Sequence, residues 1–132
     1  NCYIWGVYPI NNPYFMFDRI TTDLRFLVGP FFGIINRKNK HLKLTIEEKE
    51  DVQRTLQYYT MDKTILRFNN ISIDTTYYKT KGGFQYFNKD RKVESKKSAV
   101  YLNNLYPTIT RIKQSKKSGI TEVQLINKLS EK

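Results

Sequence analysis

The sequence predicts an α+β domain in which a small antiparallel sheet of three to five strands packs against two or three helices. Three observations predict it. Ile71, Ile73, Thr75 and Tyr77 alternate with Asn70, Ser72, Asp74 and Thr76, the period of two of a half-buried strand. Val52, Leu56 and Tyr59 recur at helical spacing behind Thr45-Ile46-Glu47-Glu48, a capping box. Lys81-Gly82-Gly83 supplies the positive-φ positions of a hairpin turn, after which Phe84 to Phe87 returns.

Taken in order, residues 1–20 are aromatic and apolar and are punctuated by Pro9 and Pro13. Tyr3 to Tyr8 reads as a short strand with Tyr3, Trp5 and Val7 on one face. This arm is expected to lie across the core. The sharper alternative is an exposed aromatic surface for another protein or subunit, or for stacking on bases. Residues 24–35, LRFLVGPFFGII, are the most apolar stretch. Gly29-Pro30 divides it into a buried strand or short helix, a bend, and a second strand from Phe31 to Ile35. It is too short to span a bilayer as a helix, and no signal-peptide pattern is present.

Asn36 to Lys43 carries Arg37, Lys38, Lys40 and Lys43 and reads as an exposed basic connection. The helix opening at Thr45 is expected to turn Glu47, Glu50, Asp51, Arg54 and Gln57 to solvent. Ile65 to Phe68 is a short strand, and Lys92-Val93-Glu94 a short strand after the turn at residues 88–91. Ser95 or Ser98 then caps a helix running to Leu105, with Ala99, Leu102 and Leu105 or Tyr106 as its apolar side and Pro107 as its stop. Thr108 to Ile112 has strand propensity. Residues 114–119 read as a polar hinge, and Thr121-Glu122-Val123-Gln124 as a second capping box opening a short final helix. The expected organisation is one α+β domain over 1–113, with a basic hinge and terminal helix over 114–132.

Composition narrows the function classes. With 39% hydrophobic and 14% aromatic residues, the chain has too much buryable surface for intrinsic disorder. Cys2 and His41 are the only cysteine and histidine, which excludes an internal disulfide and the ordinary zinc clusters. No cofactor is expected. An intracellular or virion-internal setting is favoured. The first residue is Asn, not Met, which fits a chain excised from a longer protein or trimmed at its start.

The formal charge of +11 favours acidic partners, nucleic acid first. Lys79, Lys81, Lys89, Arg91, Lys92, Lys96 and Lys97 cluster around the expected hairpin tips and helix start, and Arg111, Lys113, Lys116 and Lys117 extend the charge into the hinge. A sheet followed by a helix with a basic first turn can dock on a phosphate backbone while strand tips enter a groove. This layout resembles the three-stranded arm-type domains that read DNA with a sheet. The leading expectation is a non-catalytic nucleic-acid-binding domain, with a protein–protein assembly domain as the alternative. A third reading rests on Asp74 and Glu94-Ser95-Lys96, which resemble the helix–strands–helix core of restriction-type nucleases. There, two carboxylates would bind magnesium and the lysine would steady a hydroxide. No glycine-rich phosphate loop, serine elbow or HExxH sequence occurs.

Overall fold

A computed structural model describes residues 1–75 and 91–127. Four strands form one mixed sheet: β1 (Ile4–Val7), β2 (Ile20–Thr21), β3 (Phe32–Ile34) and β4 (Leu66–Phe68). The spatial order is β2-β4-β1-β3. β1 pairs with β3 antiparallel, placing Trp5 opposite Gly33, and with β4 parallel, placing Trp5 opposite Leu66. A parallel pair needs a long crossover. Here the connection from β1 to β4 contains β2, β3, a 3-10 turn (Lys40–Leu42) and helix α1 (Glu50–Asp62).

Residues opposite one another in register share a face of the sheet. Ile4 and Gly6 therefore turn with Arg67 toward α1, while Trp5, Val7, Leu66 and Phe68 take the outer face. Between sheet and helix, Ile4, Leu27, Tyr58 and Ile65 form the core, flanked by Tyr3, Leu42 and Tyr59. Burying such aliphatic side chains contributes about 1.5–3 kcal/mol each. The fold is thus a small α+β domain with a sheet and two helices, as the sequence predicts, with one parallel pairing in place of an all-antiparallel sheet.

Helix α1 begins later than its capping box implies. Lys49, at φ 62°, precedes the first turn, and no side chain caps it. The two ends of the expected box are used elsewhere. Gln53 takes Thr45, accepting from its N–H at 3.0 Å and donating to its Oγ1 at 2.7 Å. Glu48 accepts from Ser95 Oγ at 3.0 Å and Lys49 Nζ at 3.1 Å. Gln57, expected in solvent, is buried and donates to the Lys43 carbonyl. Thr55 is buried as well, and its hydroxyl accepts from the Leu27 N–H. Irregular backbone packed against a helix must find partners, and these polar side chains supply them. Arg37 likewise leaves the expected basic connection. Its guanidinium grips both Asp62 carboxylate oxygens and stacks 3.8 Å over the Tyr3 ring.

After β4 the chain does not continue as the expected strand. Residues 71–75 are irregular. The Tyr8 N–H approaches the carbonyls of both Phe68 and Ile71, and Ser72 Oγ donates to the Tyr8 carbonyl. These bonds fold the segment over the end of β1. The rest of the expected hairpin lies outside the described residues.

Helix α2 spans Arg91–Leu105, so Lys92-Val93-Glu94 is helical, not a strand. Ser95, Ser98, Ala99 and Leu102 are its buried stripe, at spacings of three and four. The helix ends before Pro107, as expected. Strand β5 (Thr110–Gln114) follows and pairs antiparallel with β6 (Thr121–Leu125). The predicted final helix is therefore a strand over Thr121–Leu125. Thr121, Val123 and Leu125 alternate with Glu122 and Gln124, and a period of two facing α2 prevails over the local capping pattern. The polar hinge is the hairpin loop. Gly119, at φ 70°, supplies the left-handed residue that closes it, and its N–H donates to Ser115 O at 2.9 Å.

Candidate functional site

The structure gathers part of the predicted basic set. Lys92 leaves the first turn of α2 toward the hairpin loop, its Nζ 3.5 Å from where a Cβ on Gly119 would stand. That loop carries the exposed Lys116 and Lys117. Lys96 is one turn further along α2 and exposed. Arg111 and Lys113 alternate with Thr110 and Ile112 and share the other face of the hairpin. Lys113 stands opposite Glu122 in register, which offsets one of these charges.

Other members of the set go elsewhere. Lys97 pairs with Glu94 at 3.9 Å and borders a groove with Thr45, Glu47 and Tyr101. Arg91 lines a separate cleft. Lys79, Lys81 and Lys89 lie outside the described residues. The acidic residues of the magnesium reading are not placed as that reading requires. Asp74 is in the irregular segment and Glu94 on a helix. Among the described residues, no group of three or more His, Cys, Asp or Glu side chains could hold a metal ion.

A second feature was not anticipated. A cleft of about 900 Å³ opens between the start of α1, the 24–28 segment, β4 and β6. Leu24, Val28, Val52, Val123 and Leu125 form its apolar wall. Arg67, only 7% exposed, contributes a cation. Its Nε donates to Asn69 Oδ1 at 2.6 Å, one Nη donates to the Phe26 carbonyl at 3.3 Å, and the guanidinium lies 5.0 Å from the Tyr8 ring centre. Burial, with the nearby Arg25 charge, draws its pKa down to about 10. The signal was present in Ile65-Leu66-Arg67-Phe68, an arginine inside an apolar strand, which must either find partners or face a cavity.

Glu48, Asp51 and Glu122 line the cleft, and Asp23 stands beside its Arg25. Asp23 holds Arg25 at 2.8 Å. Glu48 holds Lys49 and Ser95. Asp51 accepts from the N–H groups of Gly29 at 3.2 Å and Val52 at 2.9 Å, and burial beside Glu50 holds its carboxyl above the ordinary range.

On the outer face of the sheet, Trp5 packs edge-on against Phe31 and Phe68, with ring centres 5.7 and 6.0 Å apart. Trp5 is 38% exposed and Phe31 45%. Among the described residues, no helix is long and apolar enough to cross a membrane. No family model matches the sequence, and comparisons with curated proteins and with solved structures find no match.

Proposed function

We propose that this chain is a non-catalytic nucleic-acid-binding domain that contacts phosphates through the start of α2 and the β5–β6 hairpin. The observation that carries this reading is the approach of Lys92 to the hairpin loop. It brings the basic start of α2, with Lys96, beside the hairpin loop that carries Lys116 and Lys117, while Arg111 and Lys113 extend the charge along the other face of the hairpin. Phosphate contacts of this kind position a duplex without reading its bases. If all six side chains neutralise phosphates, log K falls with log salt at a slope near −5 on double-stranded DNA.

The test is fluorescence anisotropy with labelled duplex and single-stranded oligonucleotides across a salt series. Lys92→Ala, Lys116→Ala and Lys117→Ala should each weaken binding and reduce the salt slope by about one. Lys38→Ala, in the exposed connection after β3, serves as the matched loss of charge. If the hairpin variants behave like this control, the surface is only a solvated basic rim.

A second reading is favoured by the exposed Trp5–Phe31–Phe68 cluster, which would serve as a contact for another protein or subunit. Association through it would be insensitive to salt and would be lost on Phe31→Ala, as followed by sedimentation.

A further inference from the structure

We propose that the cleft above β4 binds a small organic anion, a carboxylate or phosphate monoester with an apolar body, whose charged end docks on Arg67. This proposal does not rest on the nucleic-acid reading.

The first argument is the unmatched charge. Among the described residues, no carboxylate lies within ion-pair distance of Arg67, whose two hydrogen bonds go to neutral oxygens. A guanidinium this deeply buried is most stable with an anion on its fork. The donors for one are in place. The sealed side-chain polar atoms lacking a partner are Arg37 Nε, Glu48 Oε2 and Gln57 Oε1 among the described residues. Arg67 lines the cleft, and among the described residues its hydrogen bonds engage Nε and one Nη.

The second argument is the setting. Asp23, Glu48 and Asp51 are committed to Arg25, to Lys49 and Ser95, and to backbone amides, and Glu122, which also lines the cleft, forms no ion pair with Arg67. The cleft volume is that of a small-molecule site, and its apolar wall gives a hydrocarbon body a place to rest. A buried guanidinium beside an apolar wall, with Arg25, Lys49 and Arg91 also lining the cleft, suits an amphipathic anion better than an inorganic one. Carboxylate and phosphate ester share this recognition chemistry, and the experiment separates them.

The experiment records ¹H–¹⁵N spectra of the full chain, including the arginine Nε–H signals, during titration with four probes at matched ionic strength. The probes are hexanoate, hexyl phosphate, hexanol and hexylammonium. At least one anion should saturably shift the Arg67 Nε–H and the amides of Val52 and Val123, whereas hexanol and hexylammonium should not. A response to hexanoate alone assigns a carboxylate ligand, and one to hexyl phosphate alone a phosphate ester. Arg67→Lys should weaken binding at least tenfold. Because that variant can also disturb folding, Val123→Trp fills the cleft from its rim with Arg67 intact, and should weaken binding equally. Lys116→Ala and Lys117→Ala should bind the anion as the parent chain does. The proposal is overturned if neither anion shifts these signals, if hexylammonium shifts them equally, if Val123→Trp binds like the parent, or if binding is lost in the hairpin variants.

Discussion

The side-chain amide of Asn127 donates to the carboxylate of Asp23, joining the end of the hairpin to the loop after β2 across 104 positions of sequence. Asp23 also pairs with Arg25 at 2.8 Å. One carboxylate therefore ties the second half of the chain to the first, beside the cleft.

This contact has a defined pH dependence, opposite to that of Asp51. Desolvation raises the Asp23 pKa, but hydrogen bonds and the Arg25 charge outweigh it and hold the carboxyl below its ordinary 3.8. Its stabilisation is complete above that value and disappears as pH falls through the folded-state pKa. Asp51 is raised above 3.8, first by desolvation and then by Glu50. Its contribution is complete below 3.8 and is lost as pH rises through the folded-state value. Urea melts across the acid range should show Asp23→Asn flattening the low-pH fall in stability. Asp51→Asn should remove a decline seen as pH rises from 3.8.

Lys63 closes α1 in the left-handed region at φ 60°, its N–H bonded to Tyr59 O at 2.7 Å. Glycine adopts that conformation without the Cβ penalty. Lys63→Gly should raise stability by about 0.5–1 kcal/mol, visible as a higher denaturation midpoint with an unchanged urea slope. A lower midpoint would contradict this assignment of the helix end.

Gly33 lies directly beneath the Trp5 indole, where an added Cβ would overlap the ring. Gly33→Ala should destabilise the fold by about 1–3 kcal/mol, the usual range for overpacking. Trp5 is the only tryptophan, so its fluorescence reports the displacement directly. An unchanged emission spectrum in the folded variant would show that the ring is not held there.

Asn69 is fully buried and connects Arg67 to the sheet. Its Oδ1 accepts from Arg67 Nε, and its Nδ2 reaches the Arg19 carbonyl at 2.7 Å and Thr21 Oγ1 at 3.0 Å. Removing it strands a buried guanidinium N–H, which costs about 1–3 kcal/mol. Asn69→Ala should therefore lose at least that much in chemical denaturation, and Asn69→Asp, which keeps the acceptor, should lose less.

Elements whose signals were purely local could be read from the sequence. The strands at Ile4–Val7, Phe32–Ile34 and Leu66–Phe68, and the helix ending before Pro107, follow from apolar runs and breakers. The errors arose where distant partners decide. Thr45 and Glu48 spell a capping box, but Gln53 and Ser95 claim them. Thr121 to Gln124 spells another, but pairing with β5 imposes a period of two. For the site, residue types were legible and their grouping was not. Lys92 and Lys97 are five positions apart on one helix, yet one meets the hairpin and the other Glu94. The cleft depends on Arg67 and segments from both halves of the chain, so no single window contains it.

Among the described residues, the sheet's outermost strands, β2 and β3, are only two and three residues long. Each offers a foreign strand few free backbone groups, and an added ladder would end almost as soon as it began. Stacking of copies edge to edge is thereby discouraged, even though the outer face carries exposed aromatic rings. Among the described residues, the faces of this sheet offer a partner more surface than its edges do.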